Sequence, residues 1–288
     1  MIAITGATGH LGQATIHALA AKLAPAQLVA VVRDPQKGAD VLPQGVNVRR
    51  GDYNDPASLL AAFQGVETLL LISTSEHEYE VRLRQHRNAI EAAKQAGVRH
   101  VLYTSVVNPN PDSPFGASPG HFATEAYLQD SGLSYTIFRN TFYLDILPML
   151  VGKGTLESGR LYFSAGVGKV SYGLREEMAQ VIANVLTSEG HENKIYDLAP
   201  GPAYSFQDVA ATLHDVTGRP VDYVPLSREE MESGLRQNQV PPPIIALLLG
   251  IGEAMKNGEF DAASPVFEQL LGRKATDLKT YLTSVYGR

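Results

Sequence analysis

The 288-residue chain contains no cysteine, which excludes disulfides, thiolate metal sites and cysteine nucleophiles together. It has no block of lysine or arginine, and 24 basic against 30 acidic residues leave a formal charge of −6. Neither nucleic acid nor an anionic lipid surface is therefore expected as its main partner. No apolar run approaches the roughly 18 residues that a spanning helix needs. No basic region with a cleavage pattern precedes the first apolar stretch, so membrane insertion and export are not expected and a cytoplasmic location is the simplest reading. Histidines and carboxylates do not cluster at ligand spacing, which leaves no candidate metal site. There is no internal repeat and no low-complexity tract.

What is present begins at the first residue. Residues 1–5 (MIAIT) form an apolar stretch that runs straight into glycines at 6, 9 and 12, and a helical pattern follows over about 11–22. A buried strand turning into a helix through such glycines is a dinucleotide site. One glycine permits the tight turn, one lets backbone approach a pyrophosphate, and one lets helix and sheet pack closely. The free N–H groups and positive end of the helix then face the phosphates. Gly6, Thr8, Gly9, His10, Leu11 and Gly12 are accordingly cofactor-binding candidates, with His10 flanking the pyrophosphate rather than acting as a base.

Residues 27–32 (QLVAVV) are a second strand, ended by Arg33-Asp34-Pro35. The tip of this strand faces the adenosine ribose, where an arginine suits a 2′-phosphate and an acid the 2′-hydroxyl. Arg33 thus favours NADP(H), while Asp34 keeps NAD(H) open; a solvated charge at a strand end is the plain alternative. A third strand at 46–50 leads through GDYNDP into a helix ending near Phe63, with Asp52 either near the adenine or a helix cap. Residues 67–72 (ETLLLI) are a fourth strand, apolar on both faces as parallel sheets require. It ends in Ser73, Thr74 and Ser75, hydroxyls that either contact the cofactor or cap a helix. The polar helix over 78–95 turns Ile90 and Ala93 inward and stops at Gly97. On this pattern His86 and Arg87 lie at the surface, His86 being also a pocket candidate.

A fifth strand covers 98–105. The segment 108–120 (NPNPDSPFGASPG), with four prolines and two glycines, reads as a loop and a candidate lid. A helix over 121–130, a stop at Gly132 and a sixth strand at 133–138 follow. Asn140, Phe142 and Tyr143 then reach the same sheet edge as the glycine turn and offer a floor for a flat ring. The alternation implies right-handed crossovers and a Rossmann-type doubly wound α/β fold with a parallel sheet. Beyond 144 it weakens into a helical stretch to about 153, a strand pair at 161–164 and 169–171, a helix over 175–186 and a strand at 195–198. A helix from Ser205 to Gly218, a short strand at 221–224, a capping box at Ser227 and an apolar helix within 236–258 that closes a pocket complete it. The expected division is a dinucleotide-binding domain at 1–150 and, at 151–288, a smaller substrate lobe with some segments returning to the first domain.

None of the 13 tyrosines is followed four residues later by lysine, so the proton relay of alcohol dehydrogenation is missing. Hydride transfer to a quinone or conjugated cation gives a product stabilised by delocalisation, which asks for positioning and shielding more than for a strong acid. His86 and His121 remain as candidate proton sources. In order, ITGATGHLG, VVRDP, GDYND, LLLISTSE, RQHRNAIEAAKQAGV, YTS, TEAYLQDSGLSYTIFRN and Tyr143 resemble the NmrA-like branch of the atypical short-chain dehydrogenases. Within that branch they are similar to the bacterial type 2 quinone oxidoreductases and triphenylmethane reductases. The likeness is dense over 1–143 and looser beyond, with departures at 108–120 and around Pro241.

The resemblance implies NADPH binding by the Gly6–Gly12 turn, Arg33, Ser73–Ser75, Asn140–Tyr143 and Lys169, and a quinone or dye-like substrate reduced without flavin. It leaves a homodimer open. A second reading is a regulator that senses NADP(H) without turnover and signals to a protein partner.

Overall fold

A computed structural model describes residues 1–287. Its first half runs β1 (Ile2–Thr5), α1 (His10–Ala20), β2 (Leu28–Val32), α2 (Pro35–Val41), β3 (Asn47–Arg50), α3 (Pro56–Ala62), β4 (Thr68–Leu71), α4 (Tyr79–Gln95), β5 (His100–Val106), α5 (Ser118–Asp130) and β6 (Ser134–Asn140). After β6 come α6 (Leu147–Val151), α7 (Thr155–Ser158), β7 (Arg160–Phe163), β8 (Lys169–Val170), α8 (Arg175–Leu186) and β9 (Lys194–Leu198). The last stretch holds β10 (Tyr204–Ser205), α9 (Phe206–Thr217), β11 (Asp222–Pro225), α10 (Arg228–Gln237), α11 (Pro242–Lys256), α12 (Val266–Leu271) and α13 (Leu278–Tyr286).

Seven strands form one sheet in the order β3-β2-β1-β4-β5-β6-β9, every pair parallel. This is the Rossmann order with one strand added at the end. Side chains alternate across it with the two-residue period of a strand. Ile4, Ala30, Val32, Leu70 and Leu102 enter one core with Leu11, Ile16 and Leu19 of α1, α8 and Phe267 of α12. Ala3, Val29, Val31, Leu69, Leu71 and Val101 enter the other with Leu59 of α3 and Ala89, Ile90 and Ala93 of α4. Both faces are thus covered, as the continuous apolar runs require. α8 and β9 come from the second half of the chain and belong to this layer.

Two short sheets stand apart. β7 pairs in parallel with β11, and β8 pairs antiparallel with β10. The expected pairing of 161–164 with 169–171 is therefore wrong. Gly166 takes a positive φ of 55°, and Gly168 lies so close to α11 that a Cβ would sit 2.0 Å from the Met255 carbonyl oxygen. These contacts turn the chain away before a hairpin can form. Backbone cannot yield as a side-chain tip does, so Gly168→Ala is expected to lower stability by about 3 kcal/mol or more, read from urea unfolding.

Two other expectations change. Pro35 starts α2 instead of merely ending β2, because Asp34 accepts from the Gln36 N–H as its cap and Pro suits a first turn. Helix α5 begins at Ser118, so Pro119 lies in its first turn and the irregular segment is shorter than 108–120. That segment is pinned by Asn108 Nδ2 donating to the Glu259 carbonyl (3.1 Å), by Ser113 Oγ donating to the Glu259 carboxylate, and by Phe115 packed on Phe260. α11 closes beneath it, with Gly250 against the Pro114 carbonyl.

Candidate functional site

From β1 the chain turns to β2 and β3 on one side, and later places β4, β5 and β6 on the other. Where the order diverges, between β1 and β4, a crevice must open at the carboxyl ends. A cleft of about 320 Å3 fills it, lined by the glycine turn, Arg33, residues 51–54, residues 72–76 and Gln85. Gly6, Thr8, Gly9, Arg33, Ser73, Thr74 and Ser75 are thus brought together from three strand ends.

The turn is built from backbone. Gly6 adopts φ 59°, and the Gly9 N–H donates to the Gly6 carbonyl at 2.9 Å. Gly12 packs where a Cβ would lie 2.3 Å from that same carbonyl oxygen. Gly9 is the N-cap of α1 and offers no side-chain acceptor, so the first-turn N–H groups stay available. Leu11 buries its side chain in the core and can serve the cleft only through its N–H. His10 is exposed and faces a second cavity.

Arg33 is exposed on the cleft and makes no ion pair among the described residues, whereas neighbouring Asp34 is engaged as the α2 cap. Asp52 lines the cleft and accepts from Asn54 N–H at 2.9 Å; the cap of α3 is instead Asp55, which accepts from Ser58 N–H. Tyr53 ties the ends of β1 and β4, its hydroxyl 2.6 Å from Thr5 Oγ1 and bonded to the Ile72 carbonyl. Burial raises its pKa, so the phenol stays neutral. Asp52 was readable in the sequence, but Tyr53 and Gln85 were missed; Gln85 sits in a helix whose polarity suggested solvent.

His86 is not at the surface. It is fully buried behind residues 73–76, and its Nε2 accepts from the Thr74 N–H at 3.0 Å. It does not line the cleft. His121 is buried beside it, with Nδ1 at 2.8 Å from the Tyr103 hydroxyl and Nε2 at 2.7 Å from Arg82 Nη2. Since guanidinium and amide N–H groups only donate, both Nε2 atoms are acceptors and both rings carry their proton on Nδ1. Burial, then the Arg82 charge, hold both pKa values well below the usual histidine range. Two neutral, sequestered imidazoles are poor proton sources. Arg87 does face solvent, stacked on Tyr127.

At the next strand ends, Asn140 Nδ2 donates to the Tyr143 hydroxyl at 3.3 Å. Ser105 Oγ, Asn140 Oδ1 and Thr141 Oγ1 are buried with no hydrogen-bond partner among the described residues. Burial raises the Tyr143 pKa, keeping it a neutral phenol. Its ring lies under Arg175, whose guanidinium carbon is 4.5 Å from the ring centre and which pairs with Asp145 at 3.2 Å. Arg175, Asp145, His10 and Tyr281 line the second cavity, of about 640 Å3. Phe142 goes elsewhere: it packs edge-on against Tyr172 and Phe260 in the C-terminal core. Lys169, on β8, is exposed, acts on Asp208 at the start of α9, and lines neither cavity. Among the described residues no cluster could hold a metal ion, and no helix is long and apolar enough to cross a membrane.

The model of the NmrA-like family matches residues 1–285. The chain is 39% identical to quinone oxidoreductase 2 of Escherichia coli strain K12 over 288 residues, 99% of each chain. The crystal structure of the E. coli NADPH-dependent quinone oxidoreductase complexed with NADPH superposes with a TM-score of 0.93, at 37% identity over 100% of both chains. That of Citrobacter sp. triphenylmethane reductase complexed with NADP(H) gives 0.92, also at 37% identity, over 99% of each.

Proposed function

The chain belongs to the NmrA-like family, and from that premise we propose that it reduces a quinone or similar flat conjugated acceptor with NADPH, directly and without flavin. It is an oxidoreductase of the NADPH-dependent kind. The observation that carries the finer reading is the pairing of an uncapped glycine turn with an unpaired Arg33 in one cleft. The residues present fit the coenzyme. Gly12 leaves no room for a Cβ, and among the described residues the first-turn N–H groups meet no side-chain cap and Ser105, Asn140 and Thr141 hold buried polar atoms without partners.

NADPH supplies a hydride when bound. The backbone N–H groups of residues 10–12 hold its pyrophosphate, and the positive end of α1 favours that charge. Arg33 takes the 2′-phosphate, and Asp34, committed to α2, does not compete for the ribose. Asn140 and Tyr143 would seat the nicotinamide, with the neutral Tyr143 phenol oriented by Asn140, while Phe142 belongs to the C-terminal core. No tyrosine–lysine relay assists, and His86 and His121 are shut away, so the acceptor oxygens gain their protons from solvent. Residues 1–150 form the coenzyme domain in this reading, and 151–288 mainly the acceptor side, with α8 and β9 returning to the sheet.

Mixing the protein with NADPH and a panel of benzoquinones, naphthoquinones and triphenylmethane dyes, and following loss of reduced-nicotinamide absorbance, tests this. Turnover with no flavin added or bound is expected. Tight NADPH binding with no turnover on any acceptor would overturn it in favour of a coenzyme-sensing regulator. Charge-assisted contacts to a phosphate carry a factor of about 10 to 100 in affinity. Arg33→Ala should therefore raise KM for NADPH by about that factor and leave KM for NADH nearly unchanged; equal losses for both would remove the role from Arg33.

A further inference from the structure

The buried face of α4 carries three polar side chains, Arg82, Gln85 and His86. Arg82 is only 3% exposed and has no carboxylate within ion-pair distance among the described residues. Its Nη1 donates to the Thr74 and Glu76 carbonyls at 2.8 and 2.9 Å, and its Nη2 to His121 Nε2 at 2.7 Å. One turn later His86 accepts the Thr74 N–H, and its Nδ1 meets Thr124 Oγ1 at 2.9 Å. Both backbone groups of Thr74 are therefore gripped from behind, in a stretch, residues 72–77, that has no secondary structure of its own. Thr74, Ser75 and Glu76 line the cleft.

Burying a guanidinium without an acid is expensive, and neutral amides could have anchored a loop at less cost. A retained, unneutralised cation beneath a cleft is suited to an anionic occupant, because charge interactions weaken little across a dry interior. We propose that Arg82 is a positioning residue for the coenzyme: it fixes the Thr74–Glu76 backbone against the cleft and leaves its own charge to be balanced by the dinucleotide phosphates. This rests on the NADPH reading above. Gly120 is part of the device, since a Cβ there would lie 2.6 Å from Arg82 Cδ.

Three variants separate the grip from the charge. Arg82→Met removes both, Arg82→Lys keeps the charge but cannot span two carbonyls and an imidazole, and Gly120→Ala keeps every polar group while displacing the arginine. Titration of each with NADPH by nucleotide fluorescence, steady-state kinetics with one quinone, and thermal unfolding are to be compared. Arg82→Met should raise Kd and KM for NADPH by about tenfold or more, with kcat at saturating NADPH within about twofold. Because a buried charge is screened little, that loss should persist at raised salt. Arg82→Lys, which keeps the charge, should restore only part of the affinity. Gly120→Ala should raise Kd by several-fold, and it decides the matter if Arg82→Met does not fold. Lowered Tm with Kd unchanged in the folded variants would overturn the proposal, leaving Arg82 a structural brace. If the parent protein itself fails to bind NADPH, the coenzyme reading falls first and takes this one with it.

Discussion

Gly12→Ala should abolish useful coenzyme binding, raising Kd for NADPH by about 100-fold or more, while the protein still folds. The added Cβ would lie 2.3 Å from the Gly6 carbonyl oxygen and 2.8 Å from Ala7 Cα, so either α1 backs away or the turn opens. Both outcomes move the N–H groups that face the phosphates, and a displacement near 1 Å in a positioning contact costs about two orders of magnitude. Folding is affected less. The clash is with backbone, as at Gly168, and costs about 3 kcal/mol, of which alanine's better helix propensity returns about 1; the remaining loss is smaller than a typical domain stability of about 5–15 kcal/mol. Gly234→Ala on α10, where a Cβ meets nothing within 4 Å and φ is ordinary, is the control: it should stabilise slightly and leave Kd alone. Fluorescence titration of both variants decides it, and a Gly12→Ala protein that binds NADPH like its parent would refute the phosphate role of the turn.

That turn was legible in the sequence because its chemistry is local: an apolar strand, three spaced glycines and a helix lie within 20 residues. The sheet was legible for a related reason. Buried parallel strands are apolar on both faces, so LVAVV and TLLL announce themselves without knowledge of their partners. What failed was non-local or depended on a side chain with two uses. β7 finds β11 about 60 residues away, and no periodicity near residue 161 could name that partner. Asp34 and Pro35 read equally well as the end of a strand and the start of a helix. His86 is the instructive case. Amphipathicity sorts residues by apolarity, so a helix whose inner face carries Arg82, Gln85 and His86 resembles a solvated one. Only the tertiary structure shows that Thr74, Glu76 and His121 partner Arg82, that Thr74 and Thr124 partner His86, and that Asn54 accepts from Gln85. Phe142 failed in the opposite sense: an aromatic beside an expected ring site belongs to the core formed with Tyr172 and Phe260.

The same buried cluster predicts how stability responds to acid. His86 is faced by Arg82 from its own helix, Tyr53 edge-on from the turn after β3, Tyr103 from β5 and Thr124 from α5; His121 is faced by Arg82 and Tyr103. None of these groups is an acid, so protonation of either imidazole in the folded protein adds a cation beside Arg82 with nothing to balance it. Both folded pKa values are depressed, while the unfolded chain takes up these protons near the ordinary 6.5. A base depressed on folding contributes its full stability above the unfolded pKa and loses it as pH falls below, toward the folded value. Each such histidine should contribute a slope that grows, as pH falls below 6.5, toward a limit of about 1.4 kcal/mol per pH unit. His121→Gln keeps an acceptor for Arg82 and a donor for Tyr103 but cannot titrate. Urea unfolding at a series of pH values below 6.5 should show its slope shallower than the parent's, by at most about 1.4 kcal/mol per unit, while carboxylates and the half-buried His100 contribute equally to both proteins. Equal slopes in the two proteins would mean that His121 is already protonated in the fold, and the neutral cluster behind the coenzyme cleft would then have to be redrawn with a counter-ion.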